Sequence, residues 1–304
     1  MSEILLTGGS GFIGGSLLKH PSFKNATMIG RNKPKDIKNF IQFDFYKDND
    51  YDKLFKNVKY VIHLAGLAHE NNASLNKFLK INYEATKSLA ESASRANVKK
   101  FIYLSSIKVL GDFTNNNLKF KNNSPYDPKD NYSYSKVKAE EALMNIAQKS
   151  KMDVVIIRPP LVYGEKVKGN FERLINLVNN IIILPFKNFK NKRSFLSVNN
   201  LVDLIDICLT HKNAKNKIYL ICDADDLSTS QLIAKISRTK GKKNLNIYFP
   251  IFIIRIFFLI LGKKNIFDKL YQPLQVDQKY TLNDLGWFPK FKMDDELKKI
   301  CNDY

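Results

Sequence analysis

The chain is 304 residues long, carries a formal charge of +20 and is 44% hydrophobic, with three scattered cysteines, Cys208, Cys222 and Cys301. That length holds one large domain, or a main domain with a smaller lobe. Three cysteines exclude a disulfide framework or a zinc site and fit a reducing cytosol, and His20, His63, His69 and His211 have no metal spacing, so no metal is expected. The lysines are spread along the chain among many asparagines and isoleucines, a compositional bias that argues against a nucleic-acid partner. A pyrophosphate ligand or an anionic membrane surface would gain from the charge. With Glu3 and only a very short apolar run at the N-terminus, a secretory leader is not expected, and the location read from the sequence is cytoplasmic.

Ile4-Leu5-Leu6 reads as a buried first strand, and Phe12-Ile13 with Leu17-Leu18 have the spacing of a buried helix face. Between them lies Thr7-Gly8-Gly9-Ser10-Gly11-Phe12-Ile13-Gly14. Strand, glycine turn and helix are the context of a phosphate-binding loop. Gly8 suits the tight turn, Gly11 a close approach of backbone to pyrophosphate, and Gly14 close packing of helix on strand. The helix N-terminus would then face an anion.

Further strands are expected at 26–29, 40–43, 58–64, 101–104 and 154–157, the last stopped by Pro159-Pro160. Helical spacing recurs between Asn72 and Ala96 and from Tyr132 to Ala147. Alternation of strands and helices predicts an α/β fold: a Rossmann-type, doubly wound parallel sheet. The polar stretch 115–130 is expected to be a loop able to move over a site. Beyond residue 160 the pattern is less regular. Helices are expected at 171–180, 201–209, 228–237 and 294–300, with a strand at 217–221. Residues 1–160 and about 193–222 are assigned to the cofactor domain, and about 161–192 and 223–304 to a smaller C-terminal α/β substrate lobe. Ile251 to Leu261 is nearly all apolar yet too short to span a bilayer. A buried or half-buried helix is the expectation. A weak peripheral membrane contact through 251–264, helped by Lys263 and Lys264, is the alternative.

Two polar signals carry chemistry. In Tyr132-Ser133-Tyr134-Ser135-Lys136, Tyr132 and Lys136 fall one helical turn apart, so the ammonium is expected to lower the tyrosine pKa. Ser105-Ser106 close the fifth strand, at the carboxyl end where doubly wound sheets bind ligands.

Glycine loop, strand-five serine and Tyr-x-x-x-Lys, in that order, resemble the short-chain dehydrogenases/reductases, in the extended branch acting on nucleotide sugars. The resemblance covers nearly the whole chain. Thr7–Gly14 resembles its TGxxGxxG loop and His63-Leu64-Ala65-Gly66 its HLAA segment. Asn82 opens a helix motif, Ser105–Gly111 resembles SSxxVYG with Leu110 for tyrosine, and Arg158–Gly164 resembles RPxxVYG. The resemblance implies Ser106, Tyr132 and Lys136 as catalytic. It implies a cofactor site of Gly8, Gly11, Phe12, Ile13, Gly14, Arg31, Asp44, Leu64, Ala65, Gly66, Asn82, Tyr132, Lys136 and Pro159. Ser106, Asn170 and Arg193 would bind substrate, with Phe171 beside Asn170 and the Arg193 guanidinium on the substrate pyrophosphate. Sugar-nucleotide 4,6-dehydratases of this family carry an Asp-Glu pair after the catalytic hydroxyl. Here Ile107 and Lys108 stand there, which leaves hydride chemistry at C4. The resemblance thus implies an NAD(P)-dependent 4-epimerase of a UDP-hexose or UDP-N-acetylhexosamine in surface-polysaccharide biosynthesis, the alternatives being a 4-ketoreductase of a UDP-4-keto-6-deoxy-sugar and a non-catalytic NAD(P)-binding protein. The cofactor is NAD or NADP: the second strand ends in Gly30-Arg31-Asn32 rather than an acid, and Arg31 leans toward the 2′-phosphate of NADP. A UDP-sugar is the expected partner, and a homodimer the oligomeric state to test.

Overall fold

The computed structural model describes residues 2–35, 37–47, 50–68, 70, 73–115, 118–242 and 245–302. His69 and Asn72, named above, lie outside the described residues. The first half alternates strand and helix: β1 (Ile4–Thr7), α1 (Phe12–Lys19), β2 (Thr27–Gly30), β3 (Phe40–Gln42), β4 (Tyr60–His63), α2 (Leu75–Phe78), a π-helical segment (Leu79–Glu84), α3 (Ala85–Arg95), β5 (Lys100–Leu104), α4 (Asn131–Lys149) and β6 (Asp153–Arg158). The second half holds β7 (Leu161–Tyr163), α5 (Asn170–Asn180), β8 (Ile183–Leu184), β9 (Phe195–Ser197), α6 (Val198–Thr210), β10 (Lys217–Leu220), α7 (Thr229–Thr239), β11 (Leu245–Asn246), α8 (Ile251–Ile260), α9 (Lys264–Tyr271), α10 (Lys279–Leu285) and α11 (Met293–Asn302).

Seven strands form one parallel sheet in the order β10-β6-β5-β4-β1-β2-β3. The order reverses beside β1, and doubly wound sheets bind ligands at the carboxyl ends near such a point. The central strands are apolar on both faces because both are covered. Leu6, Ile62, Ile102, Val155 and Ile157 pack with Leu17 of α1 and Leu201, Leu204 and Ile205 of α6. Their sheet neighbours Leu5, Val61, Phe101, Val154 and Ile156 point the other way, onto Leu89 and Ala93 of α3 and Leu143 of α4.

A third core lies beyond the sheet. Phe171, Ile175 and Val178 of α5, Leu232, Ile233 and Ile236 of α7, and Leu297 and Ile300 of α11 surround Phe186, Phe189 and Phe195. Two pairs of short strands, β7 with β9 and β8 with β11, lie outside the main sheet. The chain returns to the sheet twice. First α6 and β10 do so, then α10 and the residues after it, where Thr281 Oγ1 donates to Leu220 O at 2.6 Å and Leu285 and Trp287 enter the first core.

Residues 251–261 form a helix half-buried on one face: Ile254 is buried and Ile251 and Phe258 pack partly on the third core, while its other apolar side chains face outward. The stretch 115–130 is tied to other parts of the chain where it is described. Phe120 N donates to Gln275 O, Asp277 N to Phe120 O and Asp127 N to Val109 O, so distant backbone holds it at both ends.

Candidate active site

β1, β4, β5 and β6 end level with one another, with Thr7 paired to His63, His63 to Tyr103 and Tyr103 to Ile156. The glycine loop leaves β1 at this rim. Gly8 has φ +72°, a left-handed conformation, and a Cβ there would stand 2.7 Å from Ala65 N. A Cβ on Gly14 would stand 2.3 Å from Gly8 O, so α1 can start against the loop only with glycine there. The first-turn N–H groups of Phe12, Ile13 and Gly14 have no carbonyl one turn earlier to bond. This cradle fits the diphosphate of a dinucleotide. The side chains of its first turn do other work: Phe12 packs on the third core and Ile13 on the first.

The segment after β4 is fixed by buried polar contacts. His63 bridges Thr7 Oγ1 at 2.7 Å and Thr86 Oγ1 at 2.8 Å, and Ala65 N donates to Thr7 Oγ1 at 3.0 Å. Burial, with the Lys136 charge nearby, pushes His63 down to about 3, so it ties three elements together as a neutral ring. Asn82 is fully buried. Its amide oxygen accepts from Leu67 N at 2.7 Å, and its nitrogen donates to Leu67 O and Ser135 Oγ at 3.0 Å. These bonds clamp the loop at 65–67 to α4. Gly66 sits where a Cβ would meet Asn82 Oδ1 at 3.1 Å and Lys136 Nζ at 3.3 Å. Leu64 and Ala65 are half-buried at the same rim.

The proposed catalytic side chains converge from β5 and α4. Ser106 caps a 3-10 turn after β5, its Oγ accepting from Lys108 N at 3.3 Å. Asp130 starts α4 with a capping box: Ser133 N donates to Asp130 Oδ1 at 2.7 Å and Asp130 N to Ser133 Oγ at 3.1 Å. Such a cap contributes about 1 kcal/mol. It points Tyr132, Lys136 and Glu140 to one buried side. Lys136 Nζ donates to Leu104 O at 3.0 Å and lies 4.5 Å from the Tyr103 ring centre and 6.0 Å from that of Tyr132.

The electrostatics correct the sequence expectation. Burial raises the Tyr132 phenol to about 12, with the Ser106 side chain pulling it down and Asp130 pushing it up. Burial lowers Lys136 to about 8, against an upward pull from Glu140. Desolvation of the phenolate outweighs the help of an ammonium that is itself losing its charge.

Behind these groups lies a network that sequence reasoning missed. Glu140 is fully buried, with Arg158 Nη2 at 2.5 Å and Nε at 3.1 Å from its carboxylate. Tyr126 Oη donates to the same carboxylate at 2.9 Å, and Ser105 Oγ hydrogen-bonds it too. Glu140 is one turn beyond Lys136, a spacing that could have flagged it. Lys108 pairs with Asp112 at 3.4 Å and with Asp130, and lies 5.9 Å from the Tyr132 ring. It gives the rim a cation where a dehydratase would need an acid. Ile107 beside it is buried. Pro159 O accepts Ile107 N at 2.9 Å and joins the ends of β5 and β6.

Farther out, Arg31, Asn32, Gln42, Asp44, Lys47 and Lys53 line one pocket beyond β2 and β3. Arg193 is half-buried and Nη1 donates to Gln272 O at 2.8 Å, while burial lowers its pKa to about 10, still cationic at neutral pH. Asn170 is exposed at the start of α5. Phe171 is corrected: it is 1% exposed and stacks on Tyr163 at 5.2 Å, a core residue rather than a ligand contact.

Residues 4–222 match the NAD dependent epimerase/dehydratase family. A UDP-glucose 4-epimerase of Vibrio cholerae is 37% identical over 98% of this chain and 94% of its own length. An N-acetyl-alpha-D-glucosaminyl-diphospho-ditrans,octacis-undecaprenol 4-epimerase of Escherichia coli O157:H7 is 26% identical over 82% of this chain and 75% of its own. Among solved structures, a UDP-glucuronic acid 4-epimerase from Bacillus cereus in complex with NAD superposes with a TM-score of 0.78 at 20% identity, over 99% of this chain and 97% of that one.

Proposed function

Because the chain belongs to the NAD dependent epimerase/dehydratase family, we propose that it is an epimerase inverting C4 of a UDP-linked hexose or N-acetylhexosamine. The observation that carries the reading is the meeting of Ser106 and Tyr132 at the end of β5, with Lys136 behind them and a basic Lys108 in place of a dehydrating acid. NAD, when bound, supplies the acceptor and donor of the C4 hydride. The glycine loop and the first turn of α1 hold its diphosphate. Tyr132 Oη takes the proton of the C4 hydroxyl and later returns it, and Ser106 Oγ holds the same sugar oxygen. While it keeps its proton, Lys136 offsets part of the cost of burying the tyrosinate. Arg193, with one N–H given to Gln272, turns its remaining donors to the substrate diphosphate.

The test is incubation of the purified protein with UDP-glucose and with UDP-N-acetylglucosamine, adding no cofactor. Appearance of the C4 epimer supports the reading. No epimer from either sugar, together with reduction of a UDP-4-keto-6-deoxy-sugar that consumes NADPH mole for mole, replaces it with the 4-ketoreductase.

The cofactor preference has its own test. Arg31, Lys47 and Lys53 line one pocket that also holds Asp44, so a ribose with or without a 2′-phosphate has partners there. Arg31→Asp is expected to lower the ratio of NADP to NAD affinity by about tenfold, the worth of one charge-assisted hydrogen bond. An unchanged ratio in a binding titration removes Arg31 from the cofactor site.

A second reading keeps the chemistry and changes the carrier. The E. coli relative is named for a sugar on a polyprenyl diphosphate, and this chain exposes an apolar helix face on α8. Epimerisation of the lipid-linked but not the nucleotide-linked sugar would favour it.

A further inference from the structure

α8 breaks the usual pattern of a surface helix. Of its ten residues only Ile254 is buried, while Phe252 is 64%, Phe257 58% and Ile260 79% exposed. Pairing of β8 with β11 extends the apolar surface: Leu245 lies opposite Ile183, and Ile182 and Tyr248 are each 71% exposed. Asn188 Nδ2 donates to Phe249 O at 3.0 Å and fixes the segment that leads into α8. The polar residues interleaved with this surface have one sign. From Arg173 to Val202, and from Arg238 to Phe267, the sequence contains no acidic residue. Lys187, Lys190, Arg255, Lys263 and Lys264 are exposed, and among the described residues none of them is in an ion pair.

We propose that α8, with the flanking segments 181–183 and 245–249, docks the protein on an anionic lipid bilayer. The helix is about 15 Å long at 1.5 Å per residue, half the apolar thickness of a bilayer. No described helix is long and apolar enough to cross a membrane, so the fit is to the interface and not to a span. Aromatic and branched side chains enter the acyl boundary, while the unpaired cations reach anionic headgroups. A second copy of the chain fits this face poorly. A two-fold interface would bring a patch holding Arg255, Lys263 and Lys264 against the same patch, with no acid from 238–267 to pair them. The proposal stands whether the sugar is carried on a nucleotide or on a lipid.

The experiment is co-sedimentation of the full chain with vesicles of phosphatidylcholine alone and of phosphatidylcholine mixed with phosphatidylglycerol. The protein is expected to sediment with the mixed vesicles at least about tenfold more strongly than with phosphatidylcholine. The double variant Phe252→Glu/Phe257→Glu and the triple variant Arg255→Glu/Lys263→Glu/Lys264→Glu should each lower that partition by about tenfold or more, with NAD binding in solution unchanged. NAD binding shows that both variants are folded, since none of the five residues touches the glycine loop. Absence of wild-type protein from the mixed vesicles overturns the proposal. So does equal partition of either variant, or a wild-type dimer in analytical ultracentrifugation that the Phe variant dissociates while vesicle binding is nil.

Discussion

Two helices of this protein invert the usual distribution of polarity, in opposite senses. α4 carries a lysine and a glutamate inside: Lys136 is 4% exposed and Glu140 not at all. α8 carries phenylalanine and isoleucine outside. Buried charge and a contiguous exposed apolar surface are the two departures that call for a reason, since scattered exposed hydrophobics do not. In α4 the reason lies within the chain. Arg158, Tyr126 and Ser105 satisfy Glu140, and Leu104 O accepts a hydrogen bond from Lys136 Nζ. In α8 no described residue of the chain covers the exposed face. We read the internally compensated helix as serving the proposed chemistry and the uncompensated one as serving the proposed membrane contact.

The sharpest way to break the reading of α4 is at Tyr132. Tyr132→Phe removes one hydroxyl from a half-buried ring that packs edge-on against Phe78 at 6.4 Å, so the fold should survive. Turnover should fall by about 10²–10⁴-fold, the loss typical of a general acid/base. Tyr134 is 40% exposed two positions on, and Tyr134→Phe should leave turnover unchanged. Loss at Tyr134 with full activity at Tyr132 would move the motif by two residues.

The next effect is on stability. Glu140→Gln leaves the Arg158 guanidinium buried without its counter-charge, and breaking one side of a buried pair costs about 3–5 kcal/mol. Denaturant unfolding measures it. A loss under 1 kcal/mol would mean that water or Tyr126 already compensates Arg158, and the internal account of α4 would fail.

These two predictions differ in how far the sequence could lead to them. Tyr132, Lys136 and Ser106 are local motifs, and the strands that position them are apolar runs whose alternation reads directly as two covered faces. Glu140 and Arg158 are 18 positions apart in different elements, and only folding makes them a pair. The same holds for the tether of Phe120 to Gln275 and for Trp287 in the sheet core: local pattern carries no trace of a distant partner. α8 was legible as a helix, but hydrophobicity alone does not say whether anything covers it. The Tyr132 pKa was misjudged for a related reason, because helical spacing reveals the lysine and not the desolvation.

That desolvation sets a pH dependence. Burial holds Lys136 at about 8 and Tyr132 at about 12, so the first proton to leave this site with rising pH is that of the Lys136 ammonium. Oxidation of the C4 hydroxyl needs a site that has already given up one proton, so kcat/KM should rise with pH through about 8 and then level. Lys136→Met removes the low step and leaves the tyrosine alone, which should carry the rising limb upward by more than about one pH unit. A limb near 8 that persists in Lys136→Met would assign it to another group.

The smallest expected effect sharpens the other side of the comparison. Ile254 and Ile260 are chemically identical, lie on the same helix and differ in burial, at 4% and 79% exposed. Ile254 packs in the third core with Phe267, so Ile254→Ala removes buried methylenes and should cost about 2–5 kcal/mol. Ile260→Gln exchanges an exposed side chain for one of slightly better helix propensity, and surface changes of this kind stay within about 0.5 kcal/mol. If the unfolding free energy of Ile260→Gln moves by 1 kcal/mol or more in dilute solution, the face around Ile260 is already covered in the free protein. The contrast between α4 and α8 would then collapse into two internally compensated helices. A null effect in solution with weaker sedimentation on anionic vesicles would show the side chain contributing nothing to the fold and something to the contact.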